Sequence, residues 1–197
     1  MRNSKLLQRE DGVKITVITV NYNNLNGLKR TIPSVFSQTY NQYEYIIVDG
    51  GSTDGSKEYI EQYSPLIDEW VSEPDKGVYN AMNKAIKMAH GEFCIFMNSG
   101  DHFYSPTVLD EVLPSLNDAD IYTGYTLRIG DKQVDIWAPP AELDMHFMMY
   151  DSLSHQATFT RTSILKERPF SEEYKIVSDW ESFFEAWYQQ KCKYRML

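Results

Sequence analysis

The segment "KITVITV" (residues 14–20) is β-branched and apolar almost throughout, and it breaks off abruptly into "NYNNLNG". A strand with one wet face alternates polar and apolar residues, so a run without alternation belongs to a strand covered on both faces. The same event recurs twice: "YEYIIVD" runs into "GGSTDGS", and "EFCIFM" runs into "NSGD". Helical patterns lie between these runs. In "LKRTIPSVFSQT", Leu28, Ile32, Val35 and Phe36 recur at helical spacing, and Pro33 is expected to start or kink that helix. A short helix is expected from about Asp54 to Tyr63, and a short strand in "DEWVSEP". "KGVYNAMNKAIKMAHG" is the clearest helix, with Val78, Met82, Ala85, Ile86 and Ala89 on one face and Gly91 placed to stop it. Strand and helix thus alternate through roughly the first 115 residues, which predicts a mostly parallel α/β sheet flanked by helices.

Beyond that point strands cluster. Ser105-Pro106 reads as an N-cap followed by proline at the first helical position. "DIYTGYTLRI" and "QVDIWA", joined around Gly130-Asp131, read as a hairpin. His155 and Gln156 open a last strand, "HQATFTR", and "SDWESFFEAWYQQK" is a helix. Its first residues form a capping box, Ser178 as N-cap and Glu181 three residues on, which would set Asp179 at the first helical position. "CKYRML" looks like the start of another strand. The second half is therefore expected to add antiparallel strands to the parallel sheet. Residues 1–12 read as a polar tail, and 13–197 as one domain.

In open α/β sheets ligands gather outside the carboxyl ends of the strands. Here those ends are "NYNN", "DGGSTDGS" and "NSGD", three polar turns expected along one edge of the sheet. Neither a dinucleotide-type G-x-G-x-x-G nor a G-x-x-x-x-G-K-[ST] phosphate loop is present, which disfavours a Rossmann oxidoreductase and a P-loop NTPase. With 19 Lys and Arg against 28 Asp and Glu, the net charge of −9 argues against a nucleic-acid partner, since such binders need a basic surface. It also means that a phosphate ligand would need a local basic patch or a cation. The two cysteines, Cys94 and Cys192, lack metal-ligand spacing and suit a reducing compartment. With neither a signal-peptide core nor a run of ~20 apolar residues, a cytoplasmic location is expected, with peripheral attachment to a membrane left open.

The motifs "ITVITVNYNN", "IIVDGGSTDGS", "SEPDKGVYNAMNKAI", "FMNSGD", "SHQATFTR" and "IVSDWESFF" resemble, in order and spacing, those of bacterial family 2 glycosyltransferases, across about residues 14 to 190. The resemblance implies the GT-A fold and inverting transfer of a sugar from a nucleotide diphosphate, UDP foremost, to a glycan or lipid-linked acceptor hydroxyl in cell-surface polysaccharide synthesis. It implies that Asp101 is the metal ligand of a D-x-D-type element in which Gly100 replaces a second Asp, and that Mn²⁺ or Mg²⁺ supplies the positive charge this acidic chain lacks. By the same likeness Asp49 contacts the nucleoside, Asn21, Tyr22 and Asn23 flank its base, and Asp75, Lys76, Asn98 and Gly100 border the donor. Asp179 matches the general base, and His155 and Gln156 match groups touching acceptor or donor. "ELDMHFMMYDSL" corresponds to an acceptor lid, so Met148, Met149 and Tyr150 are expected to face an acceptor or a membrane surface. Relatives continue past the position of Leu197, so the resemblance implies a domain cut short at its C-terminus. The departures at Gly100 and at the C-terminus leave one other reading in play, a non-catalytic nucleotide-sugar or glycan-binding module on the same fold.

Overall fold

The computed structural model describes residues 13–130 and 133–197. The polar tail expected over 1–12, and Asp131 at the hairpin joint, lie outside them. The first strand, β1 (Ile15–Asn21), is buried at every position, as its unbroken apolar run requires. Helix α1 (Leu25–Phe36) returns the chain to β2 (Glu44–Asp49), and α2 (Ser56–Tyr63) to β3 (Glu69–Ser72). Helix α3 (Val78–Met88) leads back to β4 (Phe93–Phe96). These four strands pair in parallel in the order β3-β2-β1-β4.

Successive side chains on a strand point to opposite faces, and two cores result. Ile15, Val17, Tyr45, Ile47, Phe93 and Ile95 pack against Leu28, Ile32 and Val35 of α1 and Ile60 of α2. Ile18, Val20, Ile46, Val48, Cys94 and Phe96 pack on the other face against Met82, Ala85 and Ile86 of α3. Each fully buried aliphatic side chain contributes about 1.5–3 kcal/mol.

The chain continues through α4 (Val108–Val112), β5 (Ile121–Thr123), β6 (Thr126–Ile129), β7 (Val134–Trp137), α5 (Met145–Tyr150), β8 (Thr158–Arg161), α6 (Thr162–Glu167), α7 (Ser178–Phe184) and β9 (Tyr194–Met196). The main sheet extends past β4 through β8, β5 and β9, with β8 antiparallel to both its neighbours. The strand expected in "CKYRML" is β9, parallel to β5. No helix among the described residues is long and apolar enough to cross a membrane.

Several local expectations are corrected. Pro33 lies inside α1; the helix starts at Leu25, where the Asn24 side chain accepts the Gly27 N–H. Helix α3 stops at Met88, before Gly91. Gly91 is needed because a Cβ there would lie 2.6 Å from the Thr16 backbone nitrogen. The α-helix after Ser105-Pro106 begins only at Val108. The hairpin is β6–β7 alone, a separate two-stranded sheet, while β5 joins the main sheet. His155 and Gln156 sit in a short 3₁₀ turn, His155–Ala157, before β8 rather than in it. In α5, Met148 is buried in a third core with Trp137, Leu153 and Phe183, while Met149 and Tyr150 are exposed.

Candidate active site

The three polar turns do share one end of the sheet. Beside them opens a cleft of about 660 Å³ whose walls include Asn21, Tyr22, Gly50, Asp75, Asn98 and Ser99. That volume is within the range of ordinary small-ligand pockets. Gly50 is required at this wall: a Cβ there would lie 2.4 Å from Asp75 Oδ2 and 3.2 Å from the Tyr22 ring. Tyr22 is 65% exposed, so most of its ring is free for a ligand.

Asp49, expected to contact a nucleoside, is fully buried behind the wall. Its Oδ1 accepts from Asn21 Nδ2 at 2.7 Å and Ser52 Oγ at 2.6 Å. Its Oδ2 accepts from Ser72 Oγ at 2.6 Å and the Ser52 N–H at 3.0 Å. Burial alone would raise its pKa, but the bonds from Ser52, Ser72 and Asn21 outweigh burial and hold it below the ordinary aspartate range. Asp49 thus ties the ends of β1, β2 and β3 together. Asn23 caps this frame from outside: its N–H donates to Ser52 Oγ and its Oδ1 accepts the Thr53 N–H, at a φ of 47°. Lys76 is exposed beside the cleft, and Asp75 accepts the Gly77 N–H at 2.8 Å.

The turn carrying Asp101 is pinned to α1 by two residues that sequence reasoning passed over. Thr31 Oγ1 accepts the Gly100 N–H at 2.9 Å and donates to the Asp101 carbonyl at 2.7 Å. Asn24 Nδ2 donates to the Ser99 carbonyl at 2.8 Å. Gly100 has φ 116°, so this position favours glycine on backbone grounds. Asp101 lies next to the cleft without lining it. Burial raises its pKa, partly offset by His155, His102 and the Asn98 backbone.

Asp179 and His155 meet. His155 Nδ1 lies 3.2 Å from Asp179 Oδ2, and its Nε2 lies 3.1 Å from Asn98 Nδ2, so a side-chain chain runs from the cleft wall to Asp179. Gln156 is half-buried in the same turn. Asp179 Oδ1 accepts from the Tyr79 hydroxyl and the Trp180 N–H, each at 3.0 Å. Burial would raise the Asp179 pKa; His155, Tyr79 and the Trp180 N–H outweigh it and hold the carboxyl below its ordinary value. The expected capping box is absent. Val177 precedes the helix in a left-handed conformation (φ 76°), and Ser178 Oγ is buried without a partner. Its hydroxyl therefore caps nothing. Tyr79 gave no sequence signal as a site residue, because one aromatic on an amphipathic helix reads as core.

A cleft at the carboxyl ends of a parallel sheet, beside a half-buried carboxylate and a second one held below its ordinary pKa, defines the class: an α/β domain with a candidate ligand cleft and two carboxylates gathered at the sheet edge. The model of glycosyl transferase family 2 matches residues 16–174, and the chain belongs to that family. It is 40% identical over 104 residues to an uncharacterised glycosyltransferase of Mycobacterium tuberculosis, covering 52% of this chain and 40% of the relative. It is 26% identical over 162 residues to a PGL/p-HBAD biosynthesis glycosyltransferase of Mycobacterium bovis, covering 78% and 62%. The chain thus spans less than two thirds of either relative. Among solved structures, S. aureus TarS in complex with UDP superposes with a TM-score of 0.75 at 21% identity, over 93% of this chain and 57% of that one. A Pyrobaculum calidifontis mannosyltransferase in complex with GDP-Man and Mn²⁺ gives 0.72 at 16%, over 100% and 59%. These likenesses establish the GT-A fold.

Proposed function

We propose that this domain is an inverting glycosyltransferase that moves a sugar from a UDP-linked donor to an acceptor hydroxyl of a cell-surface glycan or its lipid-linked precursor. The observation that carries the proposal is the chain of contacts Asn98–His155–Asp179, which leads from the cleft wall to a carboxylate held ionised. In this reading the uracil lies against Tyr22, and the diphosphate runs towards Asn98 and Ser99. Asp49 acts from behind the wall by fixing Asn21. The UDP complex of TarS and the M. bovis relative's role in PGL/p-HBAD biosynthesis support the choice of donor and acceptor class.

A divalent cation, Mn²⁺ or Mg²⁺, fits the residues present. Asp101 is a half-buried carboxylate beside the cleft, and no group of three His, Cys, Asp or Glu among the described residues forms a protein cage. Mg²⁺ commonly takes one or two carboxylates, completed by phosphate oxygens and water. When bound, the cation supplies Lewis-acid stabilisation of the departing diphosphate. Asp179 takes the acceptor proton as the hydroxyl oxygen attacks the anomeric carbon from the face opposite UDP. A carboxylate of low proton affinity is a weak base, so proton transfer accompanies attack rather than preceding it. Oδ2, contacted among the described residues only by His155, keeps a lone pair for that proton, while Tyr79 and the Trp180 N–H occupy Oδ1 and hold the carboxylate oriented.

The test is calorimetric titration of UDP, with and without Mn²⁺, into wild type, Asp101→Ala and Asp179→Asn, followed by transfer assays. Metal-dependent binding is expected in wild type, lost in Asp101→Ala and kept in Asp179→Asn, whose transfer falls by about 10²-fold or more. No UDP binding by wild type in Mn²⁺, or normal turnover by Asp179→Asn, overturns the reading.

A further inference from the structure

The polar residues of α3 do not merely face solvent. Three of them reach across to the segment that delivers Asp179. Asn83 exchanges two hydrogen bonds with the Phe170 backbone, donating from Nδ2 to the carbonyl at 2.8 Å and accepting the N–H at 2.9 Å. Asn80 and Asn83 then hold the two carboxylate oxygens of Glu172, at 2.9 and 3.1 Å. Tyr79 completes the clamp: its hydroxyl accepts the Ser178 N–H at 3.1 Å and donates to Asp179 Oδ1 at 3.0 Å. Just upstream of Tyr79, Asp75, Gly77 and Val78 line the cleft. One helix therefore touches the cleft at Val78 and Ala81 and reaches Asp179 from Tyr79, between them.

The backbone at Val177 adds an independent observation. A β-branched residue in the left-handed region is a genuine outlier, and such strain persists only where the surroundings over-determine it. The Ser178 N–H, next along the chain, is the group that Tyr79 accepts.

We propose that Tyr79 is a positioning residue for the base: its hydroxyl fixes the Asp179 carboxylate and ties it, through α3, to the wall of the donor cleft. This rests on the reading of Asp179 as base. The phenol stays protonated at any working pH, because burial, with the Asp179 charge adding to it, pushes its pKa up to about 12. Facing Asp179 are Tyr79 from α3 and His155 from the turn before β8, with Asp101 in the field of the same His155. On its own helix, Glu181 is pushed up by burial and by Glu185 and Glu173. The Tyr79 ring packs against Phe170 with centroids 5.6 Å apart, so Tyr79→Phe keeps the packing and removes only the hydroxyl.

The experiment compares wild type, Tyr79→Phe and Glu172→Ala by carboxyl ¹³C NMR titration of Asp179, UDP calorimetry, and kcat and KM across pH. In Tyr79→Phe the Asp179 pKa is expected to rise by about one unit, the loss of one hydrogen bond to a charged group. The acidic limb of kcat moves up with it, and kcat at neutral pH falls on the order of tenfold while donor KM stays constant. Glu172→Ala loosens the same segment and is expected to leave Asp179 titrating as in wild type. An unmoved Asp179 titration in Tyr79→Phe, or an equal shift in Glu172→Ala, overturns the proposal. The NMR titration needs no acceptor. It decides the Tyr79 contact even if the transfer assay defeats the reading of Asp179 as base.

Discussion

Asp49→Asn replaces one carboxylate oxygen by an amide at almost unchanged shape, so its cost isolates the frame behind the cleft. All four groups bonded to Asp49 donate: Asn21 Nδ2, Ser52 Oγ, Ser72 Oγ and the Ser52 N–H. A hydroxyl can turn and accept from the new NH₂; an amide NH₂ or a backbone N–H cannot. Each Asp49 oxygen receives one donor of each kind. If Oδ2 becomes nitrogen, the Ser52 N–H is left facing a donor. If Oδ1 does, Asn21 either faces it with its NH₂ or turns its amide over, presenting its unpartnered Oδ1 and leaving its own NH₂ without Asp49. A donor is orphaned in a dry site in each case.

That orphaned donor costs about 1–3 kcal/mol, and loss of charge from the surviving bonds costs about 1–2 kcal/mol more. The total, about 2–5 kcal/mol, lowers the melting temperature of a domain this size by roughly 5–15 °C. The measurement is thermal and urea unfolding of both proteins without nucleotide, followed by UDP calorimetry below the transition. If Asp49 frames the site, stability falls first and UDP affinity only through the displacement of Asn21. Unfolding within about 1 kcal/mol of wild type, with UDP affinity abolished, would refute this reasoning and make Asp49 a direct ligand contact.

The other predictions concern Gly100 and acid. Gly100→Asp would restore a second carboxylate, yet the φ of 116° strains any residue with a Cβ, so a lower melting temperature is expected with no gain in metal-dependent UDP binding. A more stable variant with tighter Mn²⁺ dependence would sink that account. Asp179, with its folded pKa depressed, contributes stability fully present above about pH 4 and lost as pH falls through the lower folded value. Melting curves of Asp179→Asn should therefore fall less steeply below pH 4 than those of wild type, and parallel curves would count against the depressed carboxyl.

The cleft side of this site was legible because its signals are local. A buried strand must end in a polar turn, and three such turns on parallel strands must meet at one edge, so Asn21, Tyr22 and Asn98 could be placed together before any coordinates. What sequence could not supply was direction. Asp49 reads the same whether it faces a ligand or three strand ends, and only its four donors decide. The "SDWE" capping box failed for a related reason: a cap is an isolated-helix device, and here tertiary contacts override it. The Ser178 N–H goes to Tyr79, one hundred positions away from Asp179, and the Ser178 hydroxyl is left without work. The amphipathic pattern of α3 identified most of its apolar face, since Met82, Ala85 and Ile86 are buried, but Val78 is exposed at the cleft and Ala89 lies just past the helix end. It was silent about the other contacts, because Asn80 and Asn83 look like solvated residues and Tyr79 like a core aromatic until the 170–178 segment lies across them. The consequence is functional as well as structural. The same helix lines the cleft through Val78 and Ala81 and holds Asp179 through Tyr79, so a ligand against Val78 rests on the residue next to the one that fixes the carboxylate, and Tyr79→Phe is the variant that separates the two contacts.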